Sequence, residues 1–258
     1  MEILAIAQSK GGVGKSATAH SLASAYAEKG RTLLIDLDPQ SSVSAHCGNF
    51  EAESQSLLLE ALLGEITADE AITDTTVPNL FLVPGTWKLY SAAKIFAEEV
   101  GSDGLLESML GRMESQFDKV IIDTAPSVSV LSYNAMISSD SIIVPCETSH
   151  SSLLAMKSLL KVVELLQQRR CPTVNISAIV PTRVGRNKSA QQSIDVLRST
   201  FGELITQTVI SEAAAVRDCS SAAKSIFQYR PKSKSSAEYK SLAAEINARM
   251  RERRSNAA

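Results

Sequence analysis

Residues 10–16 read Lys10-Gly11-Gly12-Val13-Gly14-Lys15-Ser16, directly after an apolar run from Ile3 to Ala7 and before an Ala-rich segment from Ala17 to Lys29. The run has the length of a buried strand, and the segment behind it suits a helix. A glycine-rich turn between a strand and a helix N-terminus presents backbone N–H groups and the positive end of the helix dipole to an anion. Glycines in the turn let the backbone curl round a phosphate where a Cβ would clash. Lys15 can reach the β- and γ-phosphates and Ser16 can offer its hydroxyl to Mg²⁺. The pattern predicts a nucleoside triphosphate site.

The loop departs from the ordinary P-loop spacing, G-x-x-x-x-G-K-[ST]. Ser9 stands where the first glycine belongs, and a second lysine, Lys10, precedes the paired glycines. In this it resembles the deviant Walker A box, K-G-G-x-G-K-[ST], of the ParA/MinD superfamily. The resemblance implies that Lys10, Gly11, Gly12, Val13, Gly14, Lys15, Ser16 and Ala17 contact the nucleotide. It also implies that Lys10 reaches across a dimer interface to the phosphates held by a partner subunit. The bland alternative is a basic residue on a solvated loop.

With 258 residues and 44% apolar content the chain can bury a full core. No apolar stretch approaches the roughly 20 residues that cross a bilayer, and the N-terminus runs straight into the first strand, which leaves no room for a signal peptide. Cys47, Cys146, Cys171 and Cys219 lie far apart without a C-x-x-C pair, and His20, His46 and His150 lack metal-ligand spacing. These features predict a cytoplasmic protein without a structural metal. Net charge is −2, but it is unevenly spread. Residues 183–258 carry 14 Lys/Arg against 7 Asp/Glu, and residues 1–182 carry 12 against 21. Such asymmetry suggests a local basic surface.

Apolar runs alternate with helical patterns along the whole chain. Strands are expected at 2–8, 31–37, 79–83, 118–123, 140–145, 174–180 and 205–210. Helices are expected near 15–29, 54–63, 86–99, 104–115, 129–138, 150–169, 188–200 and 235–253. Unbroken runs such as Val120-Ile121-Ile122 fit strands covered on both faces. The reading is one α/β domain over 1–258, a doubly wound, mostly parallel sheet with helices on both faces.

Carboxylates narrow the chemistry. Asp36 and Asp38 follow the second strand, where a strand end next to the first strand lies beside the phosphate site. Spaced by one residue before Pro39, they suit Mg²⁺ contact and water positioning. Asp123 ends the strand Val120–Asp123 in the manner of a Walker B motif and should hold Mg²⁺, through a water. Alone, each could be a helix cap or a turn residue; three behind a P-loop point to the phosphates.

Over nearly its whole length the chain is similar to ParA-type partition ATPases. Lys10 to Ser16 matches the deviant Walker A box, Asp36 to Gln40 the first switch, and Asp123 to Ser127 the Walker B strand and second switch. Val144-Pro145 leads into the helix that lines the family's dimer interface, and residues 211–224 and 230–234 resemble its C-terminal segments. Departures are Ala17 for a second Thr, Ser41-Ser42 for Gly-Asn, and Ala125 for a proline; none removes a charge. The resemblance implies slow, partner-stimulated ATP hydrolysis with Lys10, Lys15 and Asp38 as catalytic residues and Ser16, Asp36 and Asp123 at the Mg²⁺. It further implies an ATP-dependent homodimer, non-specific double-stranded DNA contacts through Arg186, Arg217 and Lys224, nucleoid association and a ParB-like or other small adaptor. Two other classes share the scaffold. A MinD-like membrane switch needs an amphipathic C-terminal helix, and here only Leu242, Ile246 and Met250 form a stripe, which packing on the body explains better. A small-molecule ATP-dependent ligase would leave Lys10 without a task.

Overall fold

Leu4 and Ile6 point to one side of the first strand and Ala5 and Ala7 to the other, and all four are buried. A strand covered on both faces belongs in the middle of a three-layer stack. The computed structural model describes residues 1–50, 56–113 and 116–257 and shows that stack. Its strands are β1 (Glu2–Ile6), β2 (Thr32–Leu37), β3 (Thr73–Asp74), β4 (Leu80–Val83), β5 (Lys119–Thr124), β6 (Ser141–Glu147) and β7 (Ile176–Thr182). They form a seven-stranded sheet in the order β3-β4-β2-β5-β1-β6-β7. Every neighbour is parallel except β3, which runs antiparallel to β4 at the edge.

The helices are α1 (Lys15–Ala27), α2 (Ser42–His46), α3 (Leu57–Leu63), α4 (Leu89–Phe96), α5 (Leu105–Arg112), α6 (Val130–Ile137), α7 (His150–Arg169), α8 (Lys188–Phe201), α9 (Ala214–Ser221), α10 (Ile226–Tyr229) and α11 (Lys234–Ala257). On one face Leu22 and Tyr26 of α1 and Tyr239, Leu242 and Ile246 of α11 pack on Leu4, Leu34 and Ile121. On the other, α3 to α6 cover Leu33, Ile35 and Ile122, while α7 and α8 cover Ile142, Val144 and Ile179. Each fully buried Leu or Ile contributes about 1.5–3 kcal/mol.

Long elements fall close to their expected positions; residues 54–55 and 114–115, at the ends of two expected helices, lie outside the described residues. The strand expected at 205–210 does not form. Its backbone makes one isolated bridge, Ile205 to Ile179. The Glu245 carboxylate of α11 instead accepts the N–H groups of Gln207 (2.8 Å) and Thr208 (2.9 Å), and the Thr206 hydroxyl donates to the Thr208 carbonyl (2.6 Å). Side chains thus take groups that a strand ladder needs. The seventh strand is β3, two residues long and without an apolar run to announce it. The Leu242, Ile246 and Met250 stripe is buried against the sheet and α1, so it is core. No helix among the described residues is long and apolar enough to cross a membrane.

His20 of α1 and His46 of α2 face each other in the interior, ring centroids 6.1 Å apart. Burial, and then the neighbouring His46, pushes His20 down to about 3, and burial pushes His46 down to about 4. Unfolded histidine titrates near 6.5, so on acidification the unfolded chain takes the proton first. The stability from keeping His20 neutral is therefore complete above about pH 6.5 and is lost progressively toward pH 3. At pH 5 that loss is about 2 kcal/mol. His20→Gln should weaken the acid sensitivity: urea denaturation at pH 7.5 and pH 5 should differ by about 2 kcal/mol less in the variant than in the parent. Equal pH dependence in the two proteins would rule this out.

Candidate nucleotide site

Three strand ends converge on the glycine-rich loop. Asp123 is the register partner of Ile6 on one side and of Asp36 on the other, because β5 stands between β1 and β2. The expectation that β2 adjoins β1 is thereby corrected, and Asp123 is the carboxylate on the strand directly beside the loop. Gly12 (φ +74°) and Gly14 (φ +91°) occupy the left-handed region that turns the loop into α1, where the Thr18 N–H closes onto the Gly14 carbonyl at 2.9 Å. A Cβ at either position would be strained.

Lys15 is buried and folds back so that its Nζ lies 3.4 Å from the Lys10 carbonyl. Burial lowers its pKa, while the charges of Asp123 and Asp38 oppose that shift. Asp123 is fully buried, and neither of its oxygens has a hydrogen-bond partner among the described residues. Burial first, and then the charge of Asp36, drives its pKa well above the usual carboxylate range. Ser16 and Lys15 stand near enough to oppose the shift without closing a hydrogen bond on it. An orphaned buried carboxylate beside a hydroxyl is the oxygen-donor set a hard divalent cation takes. Ser16 and Asp123 therefore fit Mg²⁺.

Asp36 is different. Its Oδ2 accepts the Ser44 N–H (2.9 Å) and hydroxyl (2.7 Å), and its Oδ1 accepts the Asp38 N–H (3.1 Å). Burial raises it to about 6 against those bonds. Its oxygens tie β2 to α2, and it faces Asp123 mainly as charge. Asp38 is also buried; its Oδ1 accepts the Gln40 N–H at 2.9 Å and fixes the turn at Pro39. The loop after β4 supports this turn: the Gly85 N–H donates to the Ser44 hydroxyl at 3.0 Å. A Cβ on Gly85 would lie 2.8 Å from the Asp36 carbonyl oxygen and 3.1 Å from that of Asp38. Two residues on, Trp87 is 57% exposed.

Lys10 does not point at the phosphate cradle of its own chain. Its Nζ donates to Glu147 Oε2 (2.7 Å), Ser149 Oγ (2.8 Å) and Ser152 Oγ (3.2 Å), where β6 gives way to α7. On the far side of the loop, the Thr182 hydroxyl donates to the Val13 carbonyl (2.7 Å) and Arg183 Nη1 to the Gly12 carbonyl (2.7 Å). Between them and α11 a cavity of about 220 Å³ opens, with Ala17, Ile210, Val216 and Tyr239 in its apolar lining and Arg183, Glu212 and Arg217 at its polar side. Arg186, Arg217 and Lys224 are exposed, and none has an ion-pair partner among the described residues. The residues that the sequence left unnoticed are Ser44, Gly85, Glu147 and Thr182; Arg183, one of the basic residues of the C-terminal third, lies 3.7 Å from a carboxylate of its own chain, Glu212. Only Glu147, a carboxylate at a strand end like Asp36 and Asp123, carried a recognisable signal.

A family model described as an AAA domain matches residues 1–176. The chromosome partitioning protein ParA of Caulobacter vibrioides is 31% identical over 100% of this chain and 98% of its own length. Among solved structures, apo McdA of Cyanothece superposes with a TM-score of 0.87 at 22% identity, over 97% of this chain and 99% of its own, a likeness of fold. Cobyrinic acid a,c-diamide synthase of Mycobacterium smegmatis, solved with an ATP analogue and magnesium, superposes with a TM-score of 0.83 at 25% identity, over 95% and 93%.

The tight approach of Gly85 gives a test of the carboxylate turn. Gly85→Ala forces backbone apart at Asp36 and Asp38, which should destabilise the fold by roughly 1–3 kcal/mol. Thermal denaturation without nucleotide reads this directly, and an unshifted melting temperature would show that the loop yields freely.

Proposed function

This chain belongs to the ParA/MinD-type P-loop ATPases, and on that premise we propose that it is a partition or positioning ATPase switched by ATP between a free monomer and a DNA-bound dimer. ATP and Mg²⁺ are its cofactors, consistent with the ATP analogue and magnesium of the M. smegmatis neighbour. The observation that carries the finer reading is Lys10, a second amine at the mouth of a complete phosphate loop. It is held by residues of β6 and α7 and not by its own loop.

In this reading the N–H groups of residues 11–17 and the Lys15 ammonium bind the phosphates. Ser16 and Asp123 would hold Mg²⁺, which would supply positive charge against the phosphates. Asp36 adds negative charge behind Asp123 and fixes the turn that carries Asp38. Asp38 orients the attacking water. The base enters the cavity over Ala17, Val216 and Tyr239. Lys10 leaves Glu147 and crosses to the phosphates of a second subunit, so assembly follows nucleotide binding. A small-molecule ligase on this scaffold gives Lys10 no role. The membrane reading loses its carrier, since the stripe on α11 is buried.

Arg186, Arg217 and Lys224 contact DNA phosphates without reading sequence. One subunit offers few contacts and binds weakly; a dimer doubles them, and affinity rises with the number of phosphates neutralised. The protein then works in the cytoplasm on the nucleoid, reset by a ParB-like or other small adaptor that stimulates slow hydrolysis.

Two outcomes test this reading. Lys10→Ala should bind ATP and remain monomeric with a slowly hydrolysed analogue, as measured by light scattering; an undiminished dimer would remove the trans role. Gel shifts with unrelated duplexes should show binding that needs ATP and weakens steeply with salt. Arg186→Ala combined with Arg217→Ala should abolish it; binding as tight as the parent's would refute the phosphate contacts.

A further inference from the structure

The chain that carries Arg186 leaves β7 through one unusual residue. Arg183 is a non-glycine at φ +52°, in the left-handed region. For an arginine such a backbone is uncommon, and it persists where the surroundings over-determine it. Here they do. The preceding Thr182 is bonded to Val13, and the Arg183 guanidinium is bonded to Gly12 at 2.7 Å, so two successive residues grip two successive carbonyls of the phosphate loop. Arg183 Nη2 also lies 3.7 Å from Glu212 Oε1.

From this anchor the chain is stitched sideways. The Val184 N–H donates to the Ile210 carbonyl (3.1 Å), the Glu212 N–H donates to the Val184 carbonyl (3.0 Å), and Val184 bridges Ser211. Ser211 is held in turn by Glu238 of α11, through its N–H (3.0 Å) and its hydroxyl (2.7 Å). The two stitched segments lead directly to Arg186 on one side and, through α9, to Arg217 on the other. Both arginines therefore ride on one platform, and its link to the phosphate loop is made by Thr182 and Arg183. Gly12, the carbonyl that Arg183 grips, is itself in the left-handed conformation of the loop. A change at Gly12 is thus passed to the platform through one charged hydrogen bond.

We propose that Arg183 is a positioning residue that couples the nucleotide state of the phosphate loop to the arginine platform of residues 183–188 and 211–217. The DNA consequence rests on the function proposed above; the coupling itself does not. Dimerisation sets how many phosphate contacts are available, and Arg183 sets whether those of each subunit are in place. Loss of the guanidinium leaves the platform attached to β7 and α11, and to the loop only through the Thr182 hydroxyl on Val13, with no grip on Gly12.

The test compares the parent, Arg183→Ala and Arg183→Lys, each with and without a saturating non-hydrolysable ATP analogue and Mg²⁺. Amide hydrogen exchange of residues 183–188 and 211–217 is the first readout, with protection of residues 12–20 showing that nucleotide is bound. The parent should slow exchange of the platform when nucleotide binds. Arg183→Ala should protect residues 12–20 and lose the platform response, and Arg183→Lys, which keeps one donor toward Gly12, should retain part of it. A merely structural role would raise platform exchange equally with and without nucleotide and leave the response intact, and that result overturns the proposal. Gel shifts on plain duplex give the second readout. The ratio of affinities with and without nucleotide, expected on the order of tenfold or more in the parent, should fall toward one in Arg183→Ala. A variant that keeps the parent's ratio also overturns it. If the parent binds no DNA in any state, the DNA reading fails while the exchange response still decides the coupling.

Discussion

Negative charge buried at the C-terminal edge of the sheet is the constraint around which this molecule is arranged. Asp36 and Asp123 are fully buried on adjacent strands, level with each other, and the nearby charge of Lys15 is itself pulled out of water. Neighbouring carboxylates in an apolar core are costly unless bonded or matched by a cation. The fold answers unequally. Asp36 receives three donors from Ser44 and Asp38, whereas Asp123 receives none among the described residues. The asymmetry assigns one carboxylate to architecture and leaves the other as an acceptor for something brought in from outside.

The surrounding layers can be read as support for that edge. α1 and α11 close one face with continuous apolar packing, and α3 to α6 close the other. Backbone that must bend sharply is placed at the loops beyond the strand ends, at Gly12, Gly14, Ser41 and Arg183. Rigid strands with left-handed turns at one end deliver carboxylates and lysines to a common point without disturbing the core. The same end collects Glu147, which holds Lys10 to one side.

How much of this the sequence disclosed follows from the range of the forces involved. Long strands covered on both faces, and amphipathic or Ala-rich helices, announce themselves by local pattern, and α7 falls on its expected residues, 150–169. The phosphate loop, Lys15 and the three aspartates were legible because spacing carries their chemistry. The order of β1, β5 and β2 was not legible, because it is decided by pairing between segments remote in the chain, Glu2 with Lys119 and Thr32 with Lys119. The failed strand at 205–210 had the right composition and lost its ladder to Glu245, some forty residues away. Ser44, Gly85 and Thr182 were invisible for a related reason: each acts through contact with a segment remote in sequence, and nothing beside it in the chain reports that contact.

The loop that presses Gly85 against the Asp36–Asp38 turn also carries the chain's single tryptophan. Trp87 is more than half exposed, two residues from a backbone contact too close to admit a methyl group. Any rearrangement of that turn must displace the loop, and with it the solvent around an indole ring. The protein thus contains its own optical probe: ultraviolet emission from one unmodified side chain reports on the turn that carries Asp38, with no label and no competing tryptophan to subtract.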